Sequence, residues 1–305
     1  MEEIVGVSSG SNMYVFGGYK NPGASYGFDG TTARWRTLRR MPERAHHLMA
    51  TELDGLVYVF GGFTFGANEA WKPTGASFRY DPKSDTWSAL APLPRIRGAG
   101  QAVTVGRKIY VIGGVSSSVD GRTSADIPLG SAVGQTVVGW VDEYDPATNT
   151  WRERASMPTP RNHFFAAQVG GRVYAVDGRT GSAFVFGASS TDLIEAYDPA
   201  RDVWSLVGQA PTTRGGVTGA VHKGRILVCG GEYESLAGKT AFWAVEAYDP
   251  ESRSWSALPH LQVARHGCAA AMIGDRFHVV GGSFQSDGMP DVDSLTSTHE
   301  VLAMA

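Results

Sequence analysis

Four arginines, Arg97, Arg161, Arg214 and Arg265, stand in one register of the sequence, and four acids, Asp142, Glu195, Glu246 and Glu300, stand in another. Guanidinium groups set in a ring could hold an anionic ligand. Set opposite carboxylates, they neutralise charge that burial would otherwise leave desolvated. The two columns come and go together: where the arginine column holds Met1 and Ala45, the acid column holds Tyr26 and Phe78. This predicts partly buried ion pairs, Arg97 with Asp142, Arg161 with Glu195, Arg214 with Glu246 and Arg265 with Glu300, in preference to an anion-binding ring. Arg44 falls outside the column, beside His46 and His47, and has no matching acid.

Two short motifs invite a catalytic reading and fail it. The stretch "GVSSG", Gly6 to Gly10, has the spacing of a hydrolase serine, but that chemistry needs a strand turning sharply into a helix. Here an apolar run enters a hairpin. The stretch "GEYESLAGKT", Gly231 to Thr240, has six residues between its glycines, where a phosphate loop needs four and a helix after them.

The elements that position these residues repeat along the chain. "YDPKSDTW" ends at Trp87, and relatives of it end at Trp35, Trp151, Trp204 and Trp255, each with an aromatic seven residues earlier (Phe28, Tyr80, Tyr144, Tyr197, Tyr248). Asp and usually Pro start a tight turn between the two rings. A glycine doublet closes an apolar run in "MYVFGG", "VYVFGG", "IYVIGG", "ILVCGG" and "FHVVGG", and "VYAVDG" is a variant of it. From each tryptophan to the next doublet (Trp35 to Gly61, Trp87 to Gly113, Trp151 to Asp177, Trp204 to Gly230, Trp255 to Gly281) the step is 26 residues every time. From doublet to next aromatic it varies from 11 to 31 residues. One segment of the unit is rigid and one loop is free.

By its doublets, its YDP turns and its tryptophans, the chain resembles the kelch repeat family over essentially all 305 residues. The resemblance implies an all-β, six-bladed β-propeller with four-stranded antiparallel blades. One domain, 1–305, is expected, with repeats at about 1–44, 45–96, 97–160, 161–213, 214–264 and 265–305. The first repeat starts at its innermost strand and the last carries no tryptophan strand. The sixth blade is therefore expected to lack its outer strand, leaving an edge near 297–303 open to pairing. A charged content of 19% with 39 glycines fits a turn-rich β-protein, and a net charge of −3 argues against a nucleic-acid surface. No apolar run is long enough for a membrane span. Cys229 and Cys268 read as reduced, buried thiols. "MEEIVGV" lacks signal-peptide regions, so a cytoplasmic monomer is expected, or a secreted protein if a leader precedes it.

Antiparallel pairing puts the short turns at one end of every blade and all length variation at the other. Ligand contact is expected on the variable face. The longest loop, after Gly114, is a candidate cover for the axis. Small residues in one column (Gly6, Ala50, Ala102, Ala166, Gly219, Ala270) mark where the innermost strands converge. The resemblance places two further columns on the variable face: Glu3, His47, Ala99, His163, Gly216 and Gly267, and, after the doublets, Tyr19, Phe63, Val115, Arg179, Glu232 and Ser283. With Arg44 and Tyr233 they outline a mouth of aromatic, imidazole, guanidinium and carboxylate groups, suited to a small polar molecule or a protein segment. His46 and His47 should point oppositely, as strand neighbours do. No cofactor is expected, and no motif supports a metal, although Glu3, His47 and His163 could converge on a divalent ion. The chain is also similar, more weakly, to bacterial kelch sialic acid mutarotases. That similarity implies an alternative in which Glu232 transfers protons on a carbohydrate, with Lys239 as cationic partner.

Overall fold

The computed structural model describes residues 1–127, 135–181, 190–235, 238–285 and 294–304. Each apolar run ending in a doublet becomes the second strand of a small sheet. In the second repeat, Met49–Leu53, Leu56–Phe60, Ser77–Asp81 and Thr86–Ala89 pair in that order, antiparallel throughout. Val57, Tyr58, Val59 and Phe60 are all buried, while Thr86–Ala89 is largely exposed. The second strand lies between neighbouring sheets that cover both of its faces, so its run is continuously apolar.

Five such four-stranded sheets begin at Ile4–Ser9, Met49–Leu53, Gln101–Val105, Phe165–Val169 and Thr218–His222. A sixth, of three strands, comprises Ala269–Ile273, Arg276–Val280 and His299–Ala303. Each innermost strand packs against those of both neighbouring blades, and the last packs against the first, closing the ring. The result is a six-bladed β-propeller. The small-residue column lines the axis. A Cβ on Gly6 would sit 2.8 Å from that of Ala269, so bulk there would force the strands apart.

The repeated octamer staples each blade to the one before it. The Asp81 carboxylate accepts from the Lys83 amide at 2.9 Å, fixing the turn, and Tyr80 donates to Asp85 at 2.7 Å. The Tyr80 and Trp87 rings lie 4.9 Å apart. The indole nitrogens of Trp87, Trp151, Trp204 and Trp255 donate to the carbonyls of Arg39, Ala91, Ala155 and Gln209, at or just past the end of the outer strand of the preceding blade, at 2.9–3.0 Å. Trp35 differs because its preceding blade is the sixth. Its indole donates instead to His299 Nδ1 at 3.3 Å, and the ring is 39% exposed. His299–Ala303 is thus an edge strand among the described residues.

The arginine and acid columns meet inside the blades. Arg97 Nη1 lies 2.8 Å from Asp142, Arg214 Nη2 2.6 Å from Glu246 and Arg265 Nη2 2.9 Å from Glu300, and Arg161 pairs with Glu195. All four guanidinium groups are fully buried. Arg97 also donates to the carbonyls of Gly113, Val111 and Arg95 at 2.6–2.9 Å, so one side chain ties the doublet to the adjacent strand. Its own carbonyl accepts from Gly62 of the previous blade at 3.0 Å. Gly61, at φ +56, has that carbonyl 2.3 Å from where a Cβ would stand. Asp177 takes the equivalent place in blade four, also left-handed, at φ +61. Burial pushes its carboxyl up to about 8, against the pull of Arg214, whose Nε is 3.5 Å away.

Candidate functional site

The innermost crossovers meet at one end of the axis in a closed belt of backbone hydrogen bonds. His47 donates to Glu3 (3.3 Å), Ala99 to His47 (3.0 Å), His163 to Ala99 (2.9 Å), Gly216 to His163 (2.9 Å), Gly267 to Gly216 (3.2 Å) and Ile4 back to Gly267 (3.5 Å). The six column residues of the belt, Glu3, His47, Ala99, His163, Gly216 and Gly267, are left-handed, with φ between +52 and +65. Glycine accepts that conformation freely, whereas Glu3, His47 and His163 do so under strain. The kink turns their side chains inward over the axis, above a channel of about 140 Å³ that they line together with the small-residue column.

The residue before five of the six belt positions bridges to the residue after a doublet, His46 to Phe63, Gly98 to Val115, Asn162 to Arg179, Gly215 to Glu232 and His266 to Ser283, and at the sixth the Tyr19 amide donates to the Glu2 carbonyl at 3.0 Å. Both columns read from the sequence are therefore held at one mouth. Glu3 Oε2 lies 3.1 Å from His47 Nε2 and 4.0 Å from His163 Nε2. Arg179 pairs with Glu232 through Nη2 and Oε1. His266 Nε2 stands 3.9 Å from Glu3 and 3.6 Å from Glu232. Glu232 is only 3% exposed, and its Oε2 has no hydrogen-bond partner among the described residues.

Burial sets the protonation of this group. Desolvation, with Glu2 and Glu232 nearby, raises the Glu3 carboxyl well above the usual range. Desolvation likewise holds His47 and His163 well below theirs, helped by Arg179 and by the other histidines. His46 is lowered to about 3 by burial. An aromatic wall makes up that side of the mouth, with Trp71 4.4 Å from His47 and 4.9 Å from His46, and Phe65 4.9 Å from His46. Tyr19 closes the wall at 5.3 Å from Phe65.

Of the residues singled out from sequence, Tyr19, His47, Phe63, His163, Arg179 and Glu232 come together here. Phe63 is fully buried, packing with Trp71 and Ile127 as a support for the wall. Arg44 does not join them; it is exposed, against Gly23 of the blade-one loop. Tyr233 is 39% exposed, next to Glu232 on the hairpin Glu232–Ser235 and Gly238–Ala241. Lys239 lies opposite Glu234, with Nζ 3.9 Å from its carboxylate, so the cation beside Glu232 is Arg179. His46 and His47 both face the site, with their Nδ1 atoms 2.5 Å apart, because the left-handed His47 breaks the strand alternation that should have separated them. The long loop after Gly114 forms a short hairpin, Val115–Ser116 with Thr136–Val137, and its Ile127 bridges to Trp71. Residues 128–134 of that loop lie outside the described residues. Sequence reasoning missed His266, Trp71, Phe65 and Asn162. His266 precedes belt residue Gly267 just as His46 precedes His47, and that register was the available signal.

A family model of the kelch motif matches residues 49–94, 97–158 and 213–262, together more than half of the chain. The chain belongs to the kelch-repeat family. It is 25% identical over 290 residues to Kelch-like protein terF of Aspergillus terreus, covering 90% of this chain and 59% of that protein. It is 30% identical over 205 residues to Kelch-like protein 34 of Homo sapiens, covering 67% and 30% respectively. The chain therefore spans well under two thirds of the length of these relatives. The solved structure of YjhT superposes with a TM-score of 0.80 at 15% identity, covering 99% of this chain and 95% of that one, a likeness of fold. Among the described residues, no helix is long and apolar enough to cross a membrane.

Proposed function

We propose that this kelch propeller is a binding module whose axial mouth receives a small polar ligand or the polar tip of an extended protein segment. The supporting observation is the convergence of Glu3, His47, His163, Arg179, Glu232 and His266 on one end of the axis beside an aromatic wall. Buried polar atoms without partners among the described residues, such as Glu232 Oε2 and His46 Nε2, are costly unless a ligand satisfies them. Aromatic faces with a few fixed donors and acceptors suit a hydroxylated ring or a peptide side chain. Binding is tested by isothermal titration against panels of sugars and short peptides. A ligand held at the mouth should lose at least tenfold in affinity on Glu232→Gln, about the worth of one charge-assisted hydrogen bond. Undiminished affinity in both Glu232→Gln and Trp71→Ala would remove the reading.

A second reading, in which the mouth is an isomerase site acting on a carbohydrate, is favoured by Glu232 Oε2, which has no hydrogen-bond partner among the described residues. There Glu232 would take and return the proton of a sugar hydroxyl while Arg179 holds the developing charge. Anomer exchange of a sialic acid followed by NMR would accelerate with the protein and return to the uncatalysed rate in Glu232→Gln. The open edge His299–Ala303 is proposed as a separate place for strand pairing with a partner segment.

A further inference from the structure

We infer that Glu3, His47 and His163 form a site for one divalent first-row transition ion, zinc above all, on the propeller axis. The three residues are distant in sequence and no motif in the sequence supports a metal, although their columns allow them to converge; the belt of backbone hydrogen bonds is what gathers them. Their ligand atoms all lie within 4.8 Å of one another, with Glu3 Oε2 3.1 Å from His47 Nε2 and 4.0 Å from His163 Nε2. Ligands about 2.0–2.1 Å from a tetrahedral zinc are separated by roughly 3.3 Å, so the Glu3–His47 pair already has that spacing, and inward movement by up to about 1.5 Å completes the set. Two imidazoles and one carboxylate are a donor set that holds zinc, iron or nickel with positions left open.

Three further observations point the same way. The outer nitrogen of each imidazole is already engaged: His163 Nδ1 lies 2.5 Å from Asn162 Oδ1, and His47 Nδ1 2.5 Å from His46 Nδ1. His163 must donate from Nδ1 to the Asn162 oxygen, which leaves the Nε2 lone pair facing Glu3. Donation from His47 Nδ1 to His46 does the same for His47, and this is the arrangement by which supporting groups orient metal-binding histidines. His47 Nε2 is buried, makes no well-aligned hydrogen bond among the described residues and stands 3.1 Å from Glu3 Oε2, so its approach to the carboxylate is not that of a settled hydrogen bond. The three residues are also the bulky members of a left-handed belt whose other members are Ala99, Gly216 and Gly267, so strained backbone is kept where a ligand atom is presented. The small members leave the rest of the coordination sphere open toward the mouth. His266, with Nε2 3.9 Å from Glu3 Oε1, stands beside that opening.

The test uses the whole chain, stripped with chelator and desalted, and titrated calorimetrically with zinc alone. One ion should bind per chain. The dissociation constant should rise about 100-fold in Glu3→Gln and in His163→Gln, and about tenfold in Asn162→Ala, which frees the outer nitrogen of His163. His260→Gln, away from the axis, should bind as the parent does. Cobalt substituted for zinc should give the visible absorption of a low-coordinate imidazole site. This readout on the parent protein stays decisive if one variant fails to fold by circular dichroism. Absence of saturable one-to-one binding, a cobalt spectrum matching the hexaaquo ion, or unchanged affinity in folded Glu3→Gln and His163→Gln would each overturn the inference.

Discussion

Replacing Arg161 by methionine isolates what the buried arginine column contributes. The substitution keeps the apolar stem and removes a fully buried guanidinium that pairs with Glu195 and donates to the carbonyls of Asp177 (3.0 Å) and Leu193 (2.7 Å). Among the described residues, Glu195, itself 3% exposed, then keeps only Thr159 Oγ1 at 3.0 Å. Stranding one partner of a buried pair costs about 3–5 kcal/mol, and the lost carbonyl bonds fall within that range because methionine leaves them no donor. Arg97→Met provides the internal comparison. Asp142 would retain Arg95, whose Nη2 is 2.8 Å away, so the loss should be nearer 2 kcal/mol. The assay is urea unfolding followed by tryptophan fluorescence, supported by melting temperatures expected to fall by about 2–3 °C per kcal/mol. Arg161→Met combined with Glu195→Leu should recover most of the loss, since apolar replacement of a whole buried pair is close to neutral. A loss below about 1 kcal/mol for Arg161→Met, a larger loss for Arg97→Met, or no recovery in the double variant would refute the reasoning.

Burial, with His299 and Arg276 nearby, lowers His278 to about 4 from an ordinary value near 6.5. The unfolded chain thus binds the extra proton first, and stability should fall as pH drops from about 6.5 to 4; His278→Phe should flatten part of that slope in thermal melts, and an unchanged slope would count against the assignment. Gly216→Ala should cost about 1 kcal/mol, because Ala99 already holds the same left-handed place at φ +58. The new methyl, 3.4 Å from Glu232 Oε1, should weaken ligand binding more than folding, as titration against the parent would read. A cavity of about 280 Å³ lined by Met1, Ile4, Val15, Tyr26, Trp35 and Val280 adjoins the sixth-blade edge. A peptide copying residues 254–261 in excess should raise the melting temperature by filling that strand position, and a scrambled peptide should not.

Much of the ring was legible because its determinants are local and repeated. The 26-residue step fixed the blade, the tryptophan and tyrosine fixed the outer hairpin, and a missing tryptophan strand pointed to a three-stranded sixth sheet. The paired presence of Arg161 with Glu195, and of Met1 with Tyr26, could be read without coordinates because each pair lies within a single repeat. The site was legible only as two columns. Strand alternation mispredicts His46 against His47, since the left-handed turn that reorients both depends on the belt across six blades. Arg179 as the partner of Glu232 joins blades four and five, a contact no single repeat contains, and Lys239 drew attention only by nearness in sequence. Trp71 reaches the mouth on the returning strand of a loop hairpin whose counterparts after Gly114 and Gly231 differ in length, so no fixed step from the doublet marks its position.

Histidine-selective nitrogen-15 NMR during ligand titration tests the axial mouth most directly, because the chain's eight histidines divide evenly between axis and periphery. Ring signals of His46, His47, His163 and His266 should shift on binding, while those of His222, His260, His278 and His299 stay in place. Saturable binding that moves only the peripheral four would contradict the account.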